Sequence, residues 1–438
     1  MSCNEWRETE LGLIPADWDV KVIGEIGKVV GGGTPNTKES KYWDGNVSWI
    51  TPKDLSGFYE RYIYKGERSI TKEGLENSSA KLMPKGTVLF SSRAPIGYVA
   101  IAGKELATNQ GYKNIICNDE IAYNIFVYYL MKYKKNEIEQ IANGSTFKEV
   151  SGKVLSEFKI ILPPLHEQKA IAKILSDIDE KIEINNRINK VLEEIAQTIF
   201  KHYFVDFEFP NENGEPYKSS GGEMVESELG PIPKGWEVRR LGEILETSLG
   251  GTPKREKKEY WENGTIPWCN SAKANDFRII EPTEYITEKG LKESSTKLLP
   301  RRTIVIAITG ATLGKISLLE IDSCTNQSLV GILENKLYKA EFIYPLMKMQ
   351  IKQLINLQTG GAQQHINKDN INKLKIILPQ KELLEKYYDI TEKIFKQISI
   401  RTFEVNNLSQ LRDTLLPKLM SGEIRVPQNN KRKEYKNV

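Results

Sequence analysis

The chain repeats its own sequence about half its length apart. The heptapeptide TELGLIP at 9–15 returns as SELGPIP at 227–233, and the Gly-Thr-Pro of 33–35 returns at 251–253, an offset of 218 (251 − 33). The other matching pairs are Trp18 with Trp236, Tyr42-Trp43 with Tyr260-Trp261, Lys81-Leu82 with Lys297-Leu298, TNQ at 108–110 with 325–327, and KIILP at 159–163 with 375–379. Two copies are too few for a solenoid, which needs about three stacked repeats. The sequence therefore predicts two copies of one globular domain, a design suited to holding two similar but unequal targets at a fixed separation.

Composition places the chain among ordinary globular proteins. Its 438 residues are 39% hydrophobic and 27% charged, and the length predicts about two to four domains. No apolar run reaches the roughly 18 residues of a membrane span, so we expect no membrane association. The net charge of +4 permits a nucleic-acid partner without requiring one. The cysteines, Cys3, Cys117, Cys269 and Cys324, lack CxxC spacing, which favours free thiols in a reducing cytoplasm over a metal site or a disulfide.

Each repeat has the same internal order. A unit of mixed α and β character comes first, with short β-rich runs among Gly and Pro turns, and a long Gly- and Pro-free segment follows it. The predicted fold class is mixed α/β, with two duplicated globular units separated by two long helices that form an antiparallel coiled coil. The expected boundaries are 1–164 for the first globular unit, 165–206 for the first long helix, 207–226 for a linker, 227–379 for the second globular unit, 380–416 for the second long helix and 417–438 for a tail.

The two long segments have coiled-coil spacing. Apolar residues of the first recur at Ile171, Ile174, Ile178 and Ile182, and then at Leu192, Ile195 and Ile199, with a slip around Asn185, Asn186 and Asn189. The second follows Tyr387, Thr391, Ile394, Ile398, Arg401, Val405, Leu408, Arg412 and Leu415. Each helix of about 36 residues would be roughly 54 Å long. Such helices need a partner, and we expect them to pack on each other; the alternative is that each lies on its own globular unit.

The residues of common catalytic sites are missing from the expected patterns. His166, His202 and His365 lie far apart in the sequence, so neither a zinc site nor a Ser-His-Asp arrangement is indicated. The segment Gly310–Lys315 imitates a phosphate loop, but it has three residues between its glycines instead of four, and Ile316 stands where a hydroxyl belongs. Neither a methyltransferase motif nor a nuclease motif is present. We therefore expect no catalytic residue, metal or cofactor in this chain.

Comparison of the two halves separates scaffold from candidate binding residues. Glycines, prolines and aromatic residues shared by both copies are assigned to turns and cores, the alternative for the aromatics being stacking on a base. The segments that differ within matching frames carry the side chains that contact bases and phosphates, although surface drift alone could also produce such differences. The candidate DNA-binding residues are Lys53, Asp54, Ser92, Arg93, Lys113, Asn114 and Lys148 in the first half, and Asn270, Lys273, Thr309, Gln363, Gln364 and His365 in the second.

Several phrases together give the chain a specific resemblance along almost its whole length. They are IILPPLHEQ at 160–168, YFVDF at 203–207, LLPKLMSGEI at 415–424, the paired ELG-x-IP segments and the paired GGTP loops. With these phrases the chain resembles a specificity subunit of a type I restriction-modification system. It departs from the family pattern at Pro379-Gln380-Lys381-Glu382, where Pro-x-x-x-Glu-Gln is usual.

The resemblance implies a function and a set of partners. Each globular unit would be a target-recognition domain that reads one half of a split, asymmetric site in double-stranded DNA, and the helix pair would act as a ruler. Two modification subunits would bring S-adenosylmethionine and the methyl-transfer residues, and restriction subunits would bring ATP, Mg and nuclease chemistry. The alternatives are a standalone bivalent DNA-binding protein such as a repressor, then a nuclease or methyltransferase, and last a duplicated module that does not bind DNA.

Overall fold

The structure, a computed structural model, describes residues 5–142, 148–356 and 366–426. The chain forms two compact units: the first comprises residues up to Ile184 and from Val405 onward, and the second comprises Asn185–Glu404. Each unit therefore contains one globular repeat together with one half of each long helix. None of the helices within the described residues is both long and apolar enough to cross a membrane.

The first unit contains thirteen strands among its described residues. They are β1 (Trp6–Thr9), β2 (Gly12–Pro15), β3 (Asp19–Val22), β4 (Gly27–Gly31), β5 (Trp43–Ile50), β6 (Tyr62–Ile63), β7 (Arg68–Ile70), β8 (Leu82–Met83), β9 (Val88–Ser92), β10 (Ile96–Ala102), β11 (Leu106–Thr108), β12 (Tyr112–Cys117) and β13 (Lys159–Leu162). Its helices are α1 (Ile23–Ile26), α2 (Lys72–Glu76), α3 (Asn124–Tyr133), α4 (Lys135–Gln140), α5 (Gly152–Ser156) and α6 (Leu165–Phe204), of which α6 continues into the second unit; 3-10 helices span Ser40–Tyr42 and Pro52–Leu55. The main sheets have the orders β4-β12-β9-β10-β6 and β7-β5-β11-β8.

The second unit repeats this plan. Its strands are β14 (Met224–Val225), β15 (Ile232–Pro233), β16 (Glu237–Arg240), β17 (Thr247–Leu249), β18 (Ile266–Cys269), β19 (Glu284–Ile286), β20 (Ile304–Ala307), β21 (Ile316–Leu318), β22 (Cys324–Thr325), β23 (Leu329–Ile332) and β24 (Lys375–Leu378). Its helices are α7 (Leu241–Ile244), α8 (Glu288–Lys292), α9 (Ala340–Asn356), α10 (Lys368–Asn372) and α11 (Lys381–Met420), of which α11 ends in the first unit; 3-10 helices span Lys258–Tyr260, Ser271–Asn275 and Gly310–Thr312. The sheet orders β17-β23-β20-β21 and β19-β18-β22 repeat those of the first unit, except that isolated bridges, Ile279 with Leu319 and Leu299 with Ser323, stand where the first unit has β6 and β8. The duplication is therefore confirmed.

The beginning and the end of each repeat are joined by a strand pair. The strand β13, just before the first long helix, pairs antiparallel with β3, and β24, just before the second, pairs with β16. The alternating Lys-Ile-Ile-Leu of both strands buries its second and fourth residues, which explains why this tetrapeptide is shared. An ion pair accompanies each strand pair, from Lys159 to Glu10 and from Lys375 to Glu228. These contacts determine where each long helix begins relative to its own repeat.

The two long helices pair antiparallel, as expected. Within the first unit Arg412 donates to Asp179 at 2.8 Å, and within the second Asn185 donates to Glu404 at 2.9 Å. Residue numbers along α6 rise while their partners along α11 fall, which defines the antiparallel arrangement. The alternative, contact of each helix with its own globular unit, also occurs: the Tyr129 hydroxyl donates to Asp179 at 2.6 Å.

The predicted apolar seam of the first helix is wrong at Ile195, although Ile199 packs against the core of the second unit. Ile195 is 43% exposed, whereas the buried face of α6 carries Asp179, Asn185, Asn189 and Glu193, all less than 9% exposed. The coiled-coil spacing alone predicted that the apolar residues beyond the slip, Leu192, Ile195 and Ile199, would face the partner helix. Polar groups occupy the buried face instead because hydrogen bonds and ion pairs offset the cost of removing them from water.

Two predicted boundaries also need correction. The helix α11 continues to Met420, beyond the expected end at 416 and with Pro417 inside it, because Leu419 and Met420 are buried in the core of the first unit. The expected linker 207–226 is partly packed structure. Phe209 stacks on Trp236 with ring centroids 5.3 Å apart, and the short strand β14 lies within the same segment.

Candidate nucleic-acid interface

Among the described residues, the structure brings together three segments of the first repeat that hold candidate contact residues, 51–54, 91–93 and 110–114, and Val150, just after Lys148, lies beside them. The Tyr112 hydroxyl donates to the carbonyl of Thr51 at 3.0 Å, which joins the 51–54 segment to β12. Main-chain amides donate from Ser92 to Gly111 at 2.7 Å and from Val150 to Ser92 at 3.0 Å. Segments that are far apart in the sequence therefore meet at one end of the five-stranded sheet, as a shared binding surface requires.

An ion cluster lies at the centre of this surface. Glu149 accepts from Arg93 at 3.2 Å and from Lys113 at 3.1 Å. Partial burial opposes ionisation of Glu149, but the hydrogen bonds and charges of Lys113 and Arg93 outweigh it and lower the pKa of that carboxyl. The carboxylate is therefore ionised at neutral pH, and what it contributes to stability is lost only as the pH falls through the lowered pKa. Arg93 remains 37% exposed, so it can reach a ligand while Glu149 orients it.

The backbone beside Arg93 is unusual. Ala94 has a φ of 49°, in the left-handed region that residues with a side chain rarely adopt. Such strain persists where the surrounding structure imposes it, and it is frequent at binding sites. Here it directs the chain sharply between β9 and β10, with Arg93 at the turn.

Two further cations of the first repeat lie at the surface. Lys53 has 77% of its side chain exposed and pairs with Glu67 at 2.7 Å, and Lys148 is also exposed. An ion pair this exposed to water is weak, so Lys53 can exchange Glu67 for a phosphate at little cost. Their exposure is consistent with both of these assignments.

Three other predicted contact residues have structural roles. Ser92 and Asn114 are fully buried, with hydrogen bonds from Ser92 Oγ to the Gly111 carbonyl at 3.2 Å and from Asn114 Nδ2 to Thr108 at 2.8 Å. Asp54 accepts from the main-chain amides of Thr51 and Glu67, at 2.7 and 2.6 Å. The prediction of direct contact from Ser92 and Asn114 is therefore corrected: buried groups shape this surface but cannot touch a ligand on it.

Replacing Asp54 with alanine tests its role as a cap. Asp54→Ala should lower the free energy of unfolding by about 1–2 kcal/mol, because the amides of Thr51 and Glu67 lose their acceptor. Urea unfolding of the purified protein would measure the change. Glu76→Ala, at an exposed position of α2, is the matched control and should change stability by less than about 0.5 kcal/mol. Equal stability of Asp54→Ala and the control would contradict the capping role.

The second repeat has the same frame with different side chains. The Ile366 amide donates to the Ile308 carbonyl at 2.9 Å, which matches the bond from Val150 to Ser92. Thr309 stands in the position of Arg93 and Val330 in that of Lys113, so the ion cluster has no counterpart among the aligned residues. The two surfaces therefore differ in charge on one common scaffold.

The predicted residues of the second repeat are placed as follows. The Asn270 side chain caps the 3-10 helix Ser271–Asn275 by accepting from the Ala272 amide at 2.9 Å. Lys273, on that helix, pairs with Asp276 at 3.0 Å. Thr309 is half-buried at the start of the 3-10 helix Gly310–Thr312, which packs against the Asn270 segment. Gln363, Gln364 and His365 lie outside the described residues.

Two exposed arginines that sequence comparison missed stack on equivalent tryptophans of the two repeats. The guanidinium of Arg68 is 3.6 Å from the ring centroid of Trp43, and that of Arg255 is 3.7 Å from Trp261. The two tryptophans are equivalent in the repeats, but the arginines come from different positions in sequence, so matching the halves could not pair them. Arg–Trp stacking holds a charged group in a defined orientation.

The shared tryptophans belong to the cores, as predicted. Trp49 is 4% exposed and donates to the Gly33 carbonyl at 2.9 Å, and Trp268 is 2% exposed and donates to Gly251 at 3.0 Å. These bonds explain why the Gly-Thr-Pro loop and the tryptophan recur together in both repeats. Base stacking by these two rings is excluded by their burial.

The apparent phosphate loop is a turn between strands. Gly310–Thr312 forms a 3-10 helix, and Lys315 precedes the strand β21, where a phosphate loop would precede a helix. Within the described part of the chain, no three His, Cys, Asp or Glu side chains are grouped to hold a metal ion, and Cys117, Cys269 and Cys324 are free thiols. Burial raises the pKa of Cys324 to about 11, so this thiol is poorly reactive at neutral pH.

Comparison with known proteins gives one consistent result. The family model described as "Type I restriction modification DNA specificity domain" matches residues 15–194 and again 233–409. The chain is 38% identical to the type I restriction enzyme MjaIX specificity subunit of Methanocaldococcus jannaschii, covering 96% of this chain and 97% of that protein. It is 25% identical to the HindI specificity subunit of Haemophilus influenzae, covering 96% and 100%. The crystal structure of a type I S subunit from M. genitalium has the same fold, with a TM-score of 0.58, 19% identity, and coverage of 92% of this chain and 96% of that one.

Proposed function

The chain belongs to the family of type I restriction-modification DNA specificity subunits, and we propose on this premise that it supplies sequence recognition to a type I enzyme. The observation that supports this most strongly is one scaffold carrying two different surfaces. The same sheet order, tryptophan bonds and loop-closing amide bonds recur in both units, whereas the exposed polar side chains differ. Each repeat is a target-recognition domain for one half of a bipartite, asymmetric DNA site.

The chemistry of the two surfaces indicates how they differ as readers. The first presents Arg93, Lys53 and Lys148, cationic donors suited to guanine edges and phosphates. The second presents Lys273 with the hydroxyl of Thr309, and Gln363 and Gln364 remain proposed contacts there. Hydrogen-bonding patterns in the major groove distinguish all four base pairs. Two domains with the same fold but different exposed side chains therefore select different half-sites.

The paired long helices act as the spacer between the two recognition domains. Each contains 40 residues, which corresponds to about 60 Å at 1.5 Å per residue. Two units that read the same face of a duplex must be separated by about one helical turn, or 34 Å. Helices of this length are sufficient to determine such a spacing and therefore the gap between half-sites.

The chemical steps belong to partner subunits. Two modification subunits would bring S-adenosylmethionine and methyl-transfer residues, and restriction subunits would bring ATP, Mg and nuclease residues. This chain is the non-catalytic recognition component, working on DNA in the cytoplasm. The twofold repetition within it supports two copies of the modification subunit, one for each repeat.

A methylation map tests the proposal. DNA from cells that express this chain with a type I modification subunit is compared with DNA from cells that express the modification subunit alone. The expected result is a new motif, methylated on adenine and split by a fixed gap. The absence of any new motif, with the complex assembled and its methyltransferase shown to be active, would overturn the proposal and favour a standalone bivalent DNA-binding protein.

Glu149 offers a test of the first recognition surface. Glu149→Gln removes a negative charge that faces DNA and releases Arg93 and Lys113 from it. Nonspecific duplex binding should tighten, with the slope of log K against log salt steeper by about 1, because about 0.9 counterion is released per neutralised phosphate. Discrimination at one half-site should fall, since Arg93 is no longer oriented. Fluorescence anisotropy of the assembled complex at several salt concentrations measures both, with Glu76→Gln as the control; an unchanged salt slope would contradict this role.

A further inference from the structure

Each recognition domain carries the same three polar residue types at equivalent positions, with the arginine and the tyrosine buried and the lysine half-buried. They are arginine at Arg61 and Arg278, tyrosine at Tyr128 and Tyr344, and lysine at Lys132 and Lys348, which align about 216 or 217 residues apart. The arginines are 7% and 3% exposed, and the tyrosines 4% and 2%. A buried arginine requires acceptors nearby, so the carboxylates of the long helices that face Arg61 and Arg278 determine how each domain is held.

In the second unit the acceptor is Glu193 of α6. Lys348 Nζ donates to Glu193 Oε1, the Tyr344 hydroxyl donates to the same atom at 3.3 Å, and Arg278 lies 3.6 Å from Oε2. Phe395 of α11 packs edge-on against Tyr344, with ring centroids 6.2 Å apart. The recognition domain is thus held to the carboxylate of one helix and an aromatic ring of the other.

In the first unit the acceptor is Asp179, also on α6. The Tyr129 hydroxyl donates to it at 2.6 Å and itself accepts from Arg61 Nη1 at 3.4 Å. Arg412 of α11 donates to the other oxygen of Asp179 at 2.8 Å. A second carboxylate of the same helix, Glu183, accepts from the Arg61 amide at 2.9 Å.

The two arrangements are not copies of each other. The residue of α11 that aligns with Asp179 is Phe395, which cannot accept a hydrogen bond (395 − 179 = 216, the offset of the repeat in this region). The carboxylate that holds the second recognition domain therefore comes from α6, the helix that follows the first repeat. Helix α6 supplies the carboxylate to both domains, 14 residues apart (193 − 179).

We propose that Asp179 and Glu193 are positioning residues that orient the first and second recognition domains, respectively, and so govern discrimination at one half-site each. A base contact tolerates errors of only about 0.5 Å and 10–20°, so a domain that is held less rigidly reads its bases less strictly. A buried carboxylate with several donors provides this rigidity, because any other orientation leaves the buried charges unpaired. The inference rests on the proposed function of the chain in sequence recognition.

The test uses the full chain assembled with its modification subunit. Initial methylation rates are measured for Asp179→Asn and Glu193→Gln on the wild-type site and on duplexes with one mismatch in either half. Each substitution should lower discrimination about 5- to 10-fold at one half-site, with little change at the other, and the two should affect opposite half-sites. Glu180→Gln and Glu194→Gln, at the adjacent exposed positions of α6, are the controls and should leave both half-sites unchanged.

The possible results distinguish a positioning role, a purely structural role and a failure of the proposed function. Unchanged discrimination, or an equal loss at both half-sites together with a lower melting temperature, would overturn the positioning role and leave only a structural one. If either variant fails to assemble, Tyr129→Phe and Tyr344→Phe remove a single hydroxyl from each arrangement and should give the same division between half-sites. A wild-type complex that methylates no bipartite site would instead refute the proposed function.

Discussion

Inserting one heptad into each long helix, after Asn186 and after Phe403, is expected to lengthen the gap of the methylated motif while both half-site sequences stay the same. These points lie between two polar pairs of the helix interface, Asn185 with Glu404 and Asn189 with Thr402. Both pairs are therefore retained in the variant. A heptad preserves the face that each helix presents to its partner, so the pairing continues through the insertion.

The size of the change follows from helix geometry. Seven residues add about 10 Å of helix at 1.5 Å per residue. A base-pair step is about 3.4 Å, so the gap should grow by at most about three base pairs. Methylation mapping in cells reads the gap and the two half-sites in one experiment.

A matched insertion separates spacing from mere extra length. The same seven residues placed after Gly214, in the exposed turn that follows the first helix, leave the helix pair unchanged. This control should retain the original gap. An unchanged gap in the helix variant, with methylation still bipartite, would show that the helices do not determine the spacing.

The duplicated fold could be predicted because residues shared by both halves have local reasons to be shared. Trp49 and Trp268 donate to the carbonyl of the same loop glycine, and the Lys-Ile-Ile-Leu strands join the end of each repeat to its beginning. Because both copies need these contacts, the residues that form them are the same in the two halves. They can therefore be recognised from a single sequence. The order of strands within each sheet could not be read this way, because it depends on contacts between distant segments.

The helix interface shows where periodicity fails. Spacing favoured Ile195, but the structure buries Glu193 and exposes Ile195, because Lys348 and Tyr344 of the recognition domain supply donors to that carboxylate. Hydrophobic patterning cannot detect a buried charge whose donors Tyr344 and Lys348 lie 151 and 155 residues away. The sequence located the polar slip at Asn185, Asn186 and Asn189, but the burial of Glu193 could not be predicted from it.

The candidate site was predicted at the level of segments but only partly at that of side chains. Ser92 lies in the strand β9, whose five residues are all buried because it is central in its sheet, between β12 and β10. Nothing in the sequence around Ser92, a polar residue next to Arg93, indicates that Ser92 is buried. Arg68 and Arg255 were missed for the opposite reason, since they stack on equivalent tryptophans from positions that do not align.

Replacing Arg93 with alanine should weaken binding of the assembled complex to its site by about 10- to 100-fold, corresponding to 1–3 kcal/mol for one base contact. The reason is its placement: Arg93 is partly exposed, is held by Glu149 and lies at the turn where the divergent segments of the first repeat meet. The loss should fall on one half-site only. Binding to duplexes mismatched in one half or the other, measured at constant salt, shows which half is affected.

Two further variants distinguish a base contact from a simple positive charge. Arg93→Lys retains the charge but not the fork of donors that matches guanine, so nonspecific affinity should be retained while half-site discrimination falls. Lys72→Ala removes an exposed cation elsewhere on the same domain and should change discrimination little. If Arg93→Ala kept full discrimination, Arg93 would not read a base. If Arg93→Lys restored discrimination completely, the residue would act on phosphate as a charge, and sequence would have to be read by other residues of the first repeat.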